Sequence, residues 1–325
     1  MLDGMKENVS LKPYTTFKIG GLARYFFEAE NSRQIIEAIE WAKSKGLRFF
    51  ILAGGSDLLV SDRGFDGLAI KTKNEKRKTK NENLKSKIIY CEAGVRLSDL
   101  VAFSLKNSLS GLEWAAGIPQ ATVGGAVWGN AGAFGKNVAD VVSEVEAIEI
   151  KNEKLKTKNE NLKLKILKNK DCEFGYKDSV FKGDKNLVIL SADLVLEKKN
   201  KEEVKNEVKK ILQYRKDHHP IEPSAGSVFK NEKLKIKNEK IFSILPESRI
   251  FETKGEIPAG FLVERCGLKG KKIGGAQISP KHANFIVNTG SAQAEDVVGL
   301  IKLARQKVRE KFGIILEEEI QYVGF

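Results

Sequence analysis

The chain of 325 residues is poor in sulfur and imidazole, with 3 cysteines, 2 methionines and 3 histidines. Cys91, Cys172 and Cys266 are odd in number and form no CxxC pair. That argues against a disulfide framework or a structural zinc site and fits a reducing cytosol. His218, His219 and His282 show no metal-ligand spacing, and neighbours such as His218 and His219 would face opposite ways on a strand. Long apolar runs are missing too. Phe49 to Ala53 is among the longest, far short of the roughly 20 residues that span a bilayer. The opening MLDGMKENVS has no apolar signal region. Neither GxGxxG nor GxxxxGK[ST] occurs, so a Rossmann fingerprint and a P-loop are both excluded. These absences predict a soluble cytoplasmic protein with no membrane partner and no metal.

Basic residues are present in excess, but in a peculiar place. KNEKRKTKNENLK from Lys73, KNEKLKTKNENLK from Lys151 and KNEKLKIKNEK from Lys230 are near-copies. Nothing between them repeats, so they read as insertions into one fold rather than as a repeat architecture. The stretches 71–87, 151–165 and 230–240 together carry the whole net charge of +13. The positive charge therefore belongs to the inserts, and a nucleic-acid partner is not expected. The inserts also lack aromatic residues for base stacking. They follow apparent strands, where added loop length costs little because closure entropy grows logarithmically. The first two copies are expected to be dispensable.

Ser32 to Gly46 reads as a helix with Ser32 as N-cap, and 48–55 as a buried strand entering a glycine loop. Strands are predicted at 88–95, 142–150, 187–196 and 314–323, and helices at 97–107, 201–216 and 292–312. The two kinds are interspersed with hairpin-like pairs, which predicts an α+β class.

Two segments promise chemistry. In LAGGSDLLVSD (52–62) a strand delivers Gly54, Gly55 and Ser56 into a turn whose backbone N–H groups can form an anion nest. A plain β-turn is the other reading. GIPQATVGGAVWGNAGAFG (117–135) has low charge and dense glycine, which suits close backbone approach to a large flat ligand, with Thr122 and Asn130 as polar contacts. A tight structural core is the alternative there.

With YTTFKIGG (14–21), FGYKDSVF (174–181), PSAGSVFKN (223–231), AGFLVERCGLKGKKIGGAQISPKHANFIVN (259–288) and FGIILEEEI (312–320), these segments resemble the UDP-N-acetylenolpyruvoylglucosamine reductases (MurB family). The motifs keep the family's order from about residue 9 to the end, apart from the inserts. The short spacing from Lys177 to Ser227 resembles the subgroup without an extra substrate loop.

The resemblance implies a two-lobed FAD-binding region of PCMH type (vanillyl-alcohol oxidase-like) over 1–200. Its lobes would be about 1–70 and 71–200, with inserts at 71–87 and 151–165. An α+β substrate-binding domain over 201–325 would follow, with an insert at about 231–257. FAD would lie against Tyr14, Thr16, Gly54, Gly55, Ser56, Asp57, Leu58, Gly117, Ile118, Thr122, Gly124, Gly125, Asn130 and Gly132. NADPH would be the hydride donor. UDP-N-acetylglucosamine enolpyruvate would be the substrate, met by Tyr176, Arg215, Lys230 and Asn231 of a monomer. Ser227 would donate the proton, and Glu319 would polarise the enol or assist delivery. Lys177 stands where the family has arginine, exchanging a planar fork for a point charge. Asp57 replaces a usual asparagine, Gln120-Ala121 a usual Pro-Gly, and the FKNP proline is absent. The implied activity is that of a UDP-N-acetylmuramate dehydrogenase in peptidoglycan precursor synthesis. The alternatives are a flavin oxidase of the same fold or a nucleotide-sugar-binding homologue impaired in turnover.

Overall fold

The structure is a computed structural model that describes residues 1–118, 120–150, 162–233 and 239–325. The chain forms two compact units, one from residues 1–8, 24–54 and 66–215, the other from 9–23, 55–65 and 216–325. The resemblance implies a domain boundary at residue 200; grouped by contacts, the residues up to Arg215 stay with the first unit. The reason lies in the helix Lys201–His218, whose Val204, Val208 and Ile211 are buried, with Val208 in the first unit's core.

The first unit begins with β1 (Lys6–Ser10), β2 (Leu22–Ala29), β3 (Arg48–Leu52) and β4 (Phe65–Thr72), ordered β1-β2-β4-β3 with β3 and β4 parallel. Between β2 and β3 runs α1 (Ser32–Ser44). Its cap is Asn31, not Ser32: Asn31 is extended and its side chain accepts the Gln34 N–H at 3.0 Å. The apolar spacing of α1 buries Ile35, Ala38, Ile39 and Ala42 against Phe27, Leu68 and Ile70.

A second, antiparallel sheet follows. It contains β5 (Arg77–Glu82), β6 (Ser86–Glu92), β7 (Val142–Ile150), β8 (Leu162–Lys168) and β9 (Leu187–Lys198), in the order β8-β7-β9-β6-β5. The run LVILSADL (187–194) is buried at every position, so β9 sits centrally. The helices α2 (Leu97–Lys106), α3 (Val123–Trp128) and α4 (Lys201–His218) contribute Leu97, Leu100, Val127 and Val208 to the core beside this sheet.

Both outer strands carry basic residues from the near-copies, and charged edges discourage strand-to-strand association. The first copy is nonetheless built into the fold. Asn74 is fully buried, donates to Leu190 O at 3.2 Å and accepts the Gly94 N–H at 3.1 Å. Lys80 pairs with Asp193 at 2.6 Å. This corrects the expectation that copy one is dispensable. In copy two, residues 151–161 lie outside the described residues, and their flanks Ile150 and Leu162 face one another in antiparallel register. Replacing 151–161 by Asn-Gly, a favoured two-residue hairpin turn, is expected to preserve flavin content and thermal stability. Asn74→Ala is expected to cost about 1–3 kcal/mol, because two buried side-chain hydrogen bonds of roughly 0.5–1.5 kcal/mol each are lost. Thermal melts of both variants check this, and a larger loss from the turn replacement would reverse the assignment.

The second unit is organised by α5 (Ala259–Arg265) and α6 (Ala294–Phe312). One face of α6 buries Val297, Leu300, Ile301, Ala304, Val308 and Phe312, and Leu262 and Val263 of α5 join the same core. The start of α6 is fixed by Asp62, which accepts the Ala294 N–H at 2.6 Å. Gly313, at φ +71°, ends it in the left-handed conformation that glycine tolerates. The strand predicted over 314–323 shrinks to Gln321–Val323, parallel to Leu58–Val60, plus a bridge from Glu318 to Phe229. The segment changes pairing partner midway, so no single ladder runs its length. The expected third insert is also not a free loop: Ile241, Phe242, Leu245 and Ile257 enter the core, and Glu232–Lys233 pairs with Glu256–Ile257.

Candidate active site

In the first unit, β3 ends at Leu52 and the chain reaches Gly54. A Cβ at Gly54 would lie 1.8 Å from the Gln120 carbonyl oxygen. At Gly124 it would lie 2.8 Å from Ala93 Cβ, and at Gly132 2.5 Å from the Lys136 oxygen. Thr122 caps α3 by accepting the Gly125 N–H at 3.5 Å, and the N–H groups of Val123 and Gly124 bond Val95 and Ala93. Here the Cβ side of each glycine abuts protein, as the tight structural core would have it.

The same unit orders the GYKDS motif. Gly175 and Asp178 close a turn with Tyr176 and Lys177 at its tip, Lys177 in the left-handed conformation at φ +55°. Asn130 holds that turn, donating to Gly175 O at 2.7 Å and accepting the Ala139 N–H at 3.2 Å. The Asn130 amide is thus engaged within the protein, where cofactor contact was expected. Ser179 adds a bond to Trp128 O at 2.7 Å. Lys177 Nζ reaches Gly132 O at 3.5 Å.

Arg215, near the end of α4, is half-buried, and its Cδ stands 3.0 Å from where a Cβ on Gly117 would be. Tyr214 beside it meets the Phe134 ring edge-on at 5.4 Å. Burial alone lowers the Arg215 pKa, and among the described residues no ion pair or hydrogen bond offsets that cost. A cation in that state favours an anionic ligand. Ile118 lies next to Gly117 and donates its N–H to Ala115 O at 2.9 Å.

Sequence reading missed Lys71. Its half-buried ammonium bonds the Ala53 carbonyl, and burial together with Arg96 brings its pKa down to about 8. The available signal was a lysine inside the otherwise apolar strand run LAIK.

In the second unit, Gly55 takes φ +65°, and a Cβ there would fall 2.0 Å from Tyr14 O. The Thr16 N–H and hydroxyl both reach Gly55 O, at 2.9 and 3.3 Å. Asp57 O accepts the Gln321 N–H at 2.9 Å, and Leu58 pairs with Gln321. Gly55 is buried, yet neither it nor Ser56 donates its N–H to a group among the described residues. Such N–H groups suit a diphosphate. On this donor set the residues fit FAD.

The second unit also gathers the proton-transfer candidates. The segment Ala225–Lys230 lies between two others. Ser227 bridges Phe285 on one side, and Phe229 bridges Glu318 on the other. The Glu319 N–H donates to Val228 O at 2.8 Å, one residue from Ser227. The three adjacent carboxylates have distinct surroundings. Glu317 pairs with Lys230 at 2.5 Å, and Glu318 pairs with Arg305 at 2.6 Å and accepts from the Tyr322 hydroxyl. Lys230 is therefore already ion-paired, and its side chain is only 14% exposed. Asn231 is engaged as well, donating to Glu256 at 2.9 Å and accepting the Ala259 N–H at 3.2 Å.

Comparison with known proteins adds the following. Residues 217–323 match the pattern of the UDP-N-acetylenolpyruvoylglucosamine reductase C-terminal domain, and residues 23–157 that of an FAD binding domain. The UDP-N-acetylenolpyruvoylglucosamine reductase of Synechococcus sp. (strain JA-3-3Ab) is 36% identical over 322 residues, 98% of this chain and 91% of that protein. The protein of the same name from Caldicellulosiruptor saccharolyticus is 39% identical over 317 residues, 97% of this chain and 90% of that one. The crystal structure of the Thermus caldophilus reductase superposes with a TM-score of 0.73 at 31% identity, covering 98% of this chain and 99% of that one. The fold class is thus the expected one, an FAD-binding PCMH-type domain with an α+β substrate-binding domain.

Proposed function

The chain belongs to the UDP-N-acetylenolpyruvoylglucosamine reductase family, and from that premise we propose how its residues divide the work. The protein is a UDP-N-acetylmuramate dehydrogenase: it reduces the enolpyruvyl group of UDP-N-acetylglucosamine enolpyruvate to give UDP-N-acetylmuramate, a peptidoglycan precursor. NADPH is the proposed source of reducing equivalents. FAD, when bound, supplies the hydride that adds to the vinyl carbon.

The protein must then provide a proton for the neighbouring carbon and accommodate the negative charge of the enol form. Ser227 donates that proton from its hydroxyl. A serine hydroxyl is a weak acid, so a neighbour must assist, and Glu319 is the proposed neighbour. The observation that carries this pairing is the bond from Glu319 N–H to Val228 O at 2.8 Å, which ties the two carrying segments together. Arg215 and Lys177 oppose negative charge on the substrate. Backbone N–H groups of Gly55 and Ser56 and the side chains of Tyr14 and Thr16 hold the cofactor. The family's C-terminal domain spans 217–323, which favours this reading over an oxidase of the same fold. No helix among the described residues is long and apolar enough to cross a membrane.

The test of the whole reading is stopped-flow. The purified protein is expected to be yellow, to bleach with NADPH, and to recolour when the enolpyruvyl nucleotide sugar is added without oxygen. Failure to recolour would mean that the substrate is wrong.

Lys177→Arg is expected to keep or raise turnover, since it restores a forked donor at the same turn. Lys177→Ala is expected to lower kcat about 10²-fold, as removal of one electrostatic donor does elsewhere. Equal turnover in all three forms would remove Lys177 from the chemistry.

A further inference from the structure

Asn284 is 4% exposed and lies outside the groups assigned above. Its side chain behaves as a strand neighbour would. Nδ2 donates to Phe229 O at 2.9 Å, and Oδ1 accepts the Phe229 N–H at 3.0 Å. Its own backbone oxygen accepts the Val228 N–H at 2.8 Å, and the next residue, Phe285, bridges Ser227. One residue thus satisfies three of the four backbone polar groups of Val228 and Phe229. The opposite edge of that segment belongs to 317–319: Lys230 N–H donates to Glu317 O at 2.9 Å, and Val228 O accepts from Glu319. The Asn284 amide is therefore placed to set the register of the segment that carries Ser227 beside the one that carries Glu319.

Register matters because side chains alternate along an extended chain, so a slip of one residue turns each to the other face. Val228 and Phe229, both buried, resist such a slip through packing. Packing alone does not specify which backbone group pairs with which. The bidentate amide does, since a displaced Phe229 would lose both bonds and leave two buried groups unsatisfied.

We infer that Asn284 is a positioning residue for the proton-transfer half of the reaction, fixing the Ser227 segment to the Glu319 segment through Phe229. This rests on the functional reading above.

The test uses the full-length flavoprotein. Its flavin is reduced with dithionite, so that the NADPH step does not enter. UDP-N-acetylglucosamine enolpyruvate is then added anaerobically at saturating concentration, and reoxidation is followed in a single turnover. The variants are Asn284→Ala, which removes both bonds, and Asn284→Asp, which keeps the acceptor for the Phe229 N–H but places an oxygen against its carbonyl. The control is Val308→Ala, a cavity in the same unit's core, where Val308 is fully buried. Both Asn284 variants are expected to reoxidise about 10²-fold more slowly, the loss that a displacement of about 1 Å produces. Substrate affinity, read from the concentration dependence, is expected to change little. Val308→Ala, at a similar loss of melting temperature, is expected to stay within about threefold of wild type. If Asn284→Ala does not fold, the isosteric Asn284→Asp alone decides. Asn284 variants within about threefold of a competent wild type overturn the inference. So does a Val308→Ala rate as slow as theirs, because the effect would then be general loosening. A wild-type enzyme whose reduced flavin is not reoxidised by this substrate overturns the functional reading together with the inference.

Discussion

Ser227→Ala is expected to leave flavin reduction by NADPH unchanged and to slow reoxidation by the enolpyruvyl substrate about 10²–10⁴-fold, the usual loss on removing a positioned proton donor. Ser227 is assigned only to protonation of the substrate carbon, so only the step that consumes this proton should respond. The surroundings of the three glutamates sharpen the comparison. Glu319→Gln is expected to fall in the same half-reaction. Glu317→Gln removes the charge of a carboxylate that is 71% exposed, and the amide oxygen that replaces it can still accept from Lys230. Its effect on rate is therefore expected to be slight. Transient kinetics on both half-reactions separates these variants. Equal slowing of both steps by Ser227→Ala would make Ser227 structural, and a larger loss at Glu317 than at Glu319 would mean the wrong carboxylate was chosen.

The second large effect is expected at the glycine turn. Gly55→Ala puts a methyl group 2.0 Å from Tyr14 O and forces a side chain into φ +65°. Gly54→Ala puts one 1.8 Å from Gln120 O. Both obstacles are backbone and cannot rotate away. Overpacking costs about 1–3 kcal/mol, and the left-handed conformation adds about 1–2 at Gly55. Carried into flavin binding, about 2–5 kcal/mol at Gly55 lowers affinity roughly 30- to 5,000-fold and about 1–3 kcal/mol at Gly54 roughly 5- to 150-fold, so Gly55→Ala is expected to purify nearly colourless. Gly183→Ala is the control, because nothing lies within 4 Å of its added methyl. The ratio of flavin to protein absorbance, followed by titration with FAD, reads the result. A Gly55→Ala protein that stays fully yellow would sink the assignment of this turn.

The identity of the glycine positions was legible, but the reason for them was only partly so. Gly54, Gly124 and Gly132 were read with ligand approach in view, and each proves to abut protein. A sequence records that a Cβ is not tolerated, not what would meet it. Asn130 and Asn231 show the same limit. Both were read as ligand contacts, yet their amides bond Gly175 and Ala139, and Glu256 and Ala259. An amide carries donors and an acceptor wherever it stands, so only its neighbours decide what it serves. The near-copies carry the same lesson. The first of these charged peptides buries an asparagine, Asn74, which nothing in its composition announces.

The sequence by itself determined the family, the α+β class, the placement of the long helices and central strands, and the candidate residues. Periodicity and ordered motifs are local properties of the chain. They survive unchanged into Val142–Ile150, where the predicted and observed strands coincide. Tertiary structure alone decided that 9–23 and 55–65 join the C-terminal unit, that α4 seals the first unit's core, and that Asn284 brackets Phe229. These depend on contacts between residues far apart in the chain. Burial and hydrogen-bond satisfaction are properties of the whole fold, and no window of residues contains them.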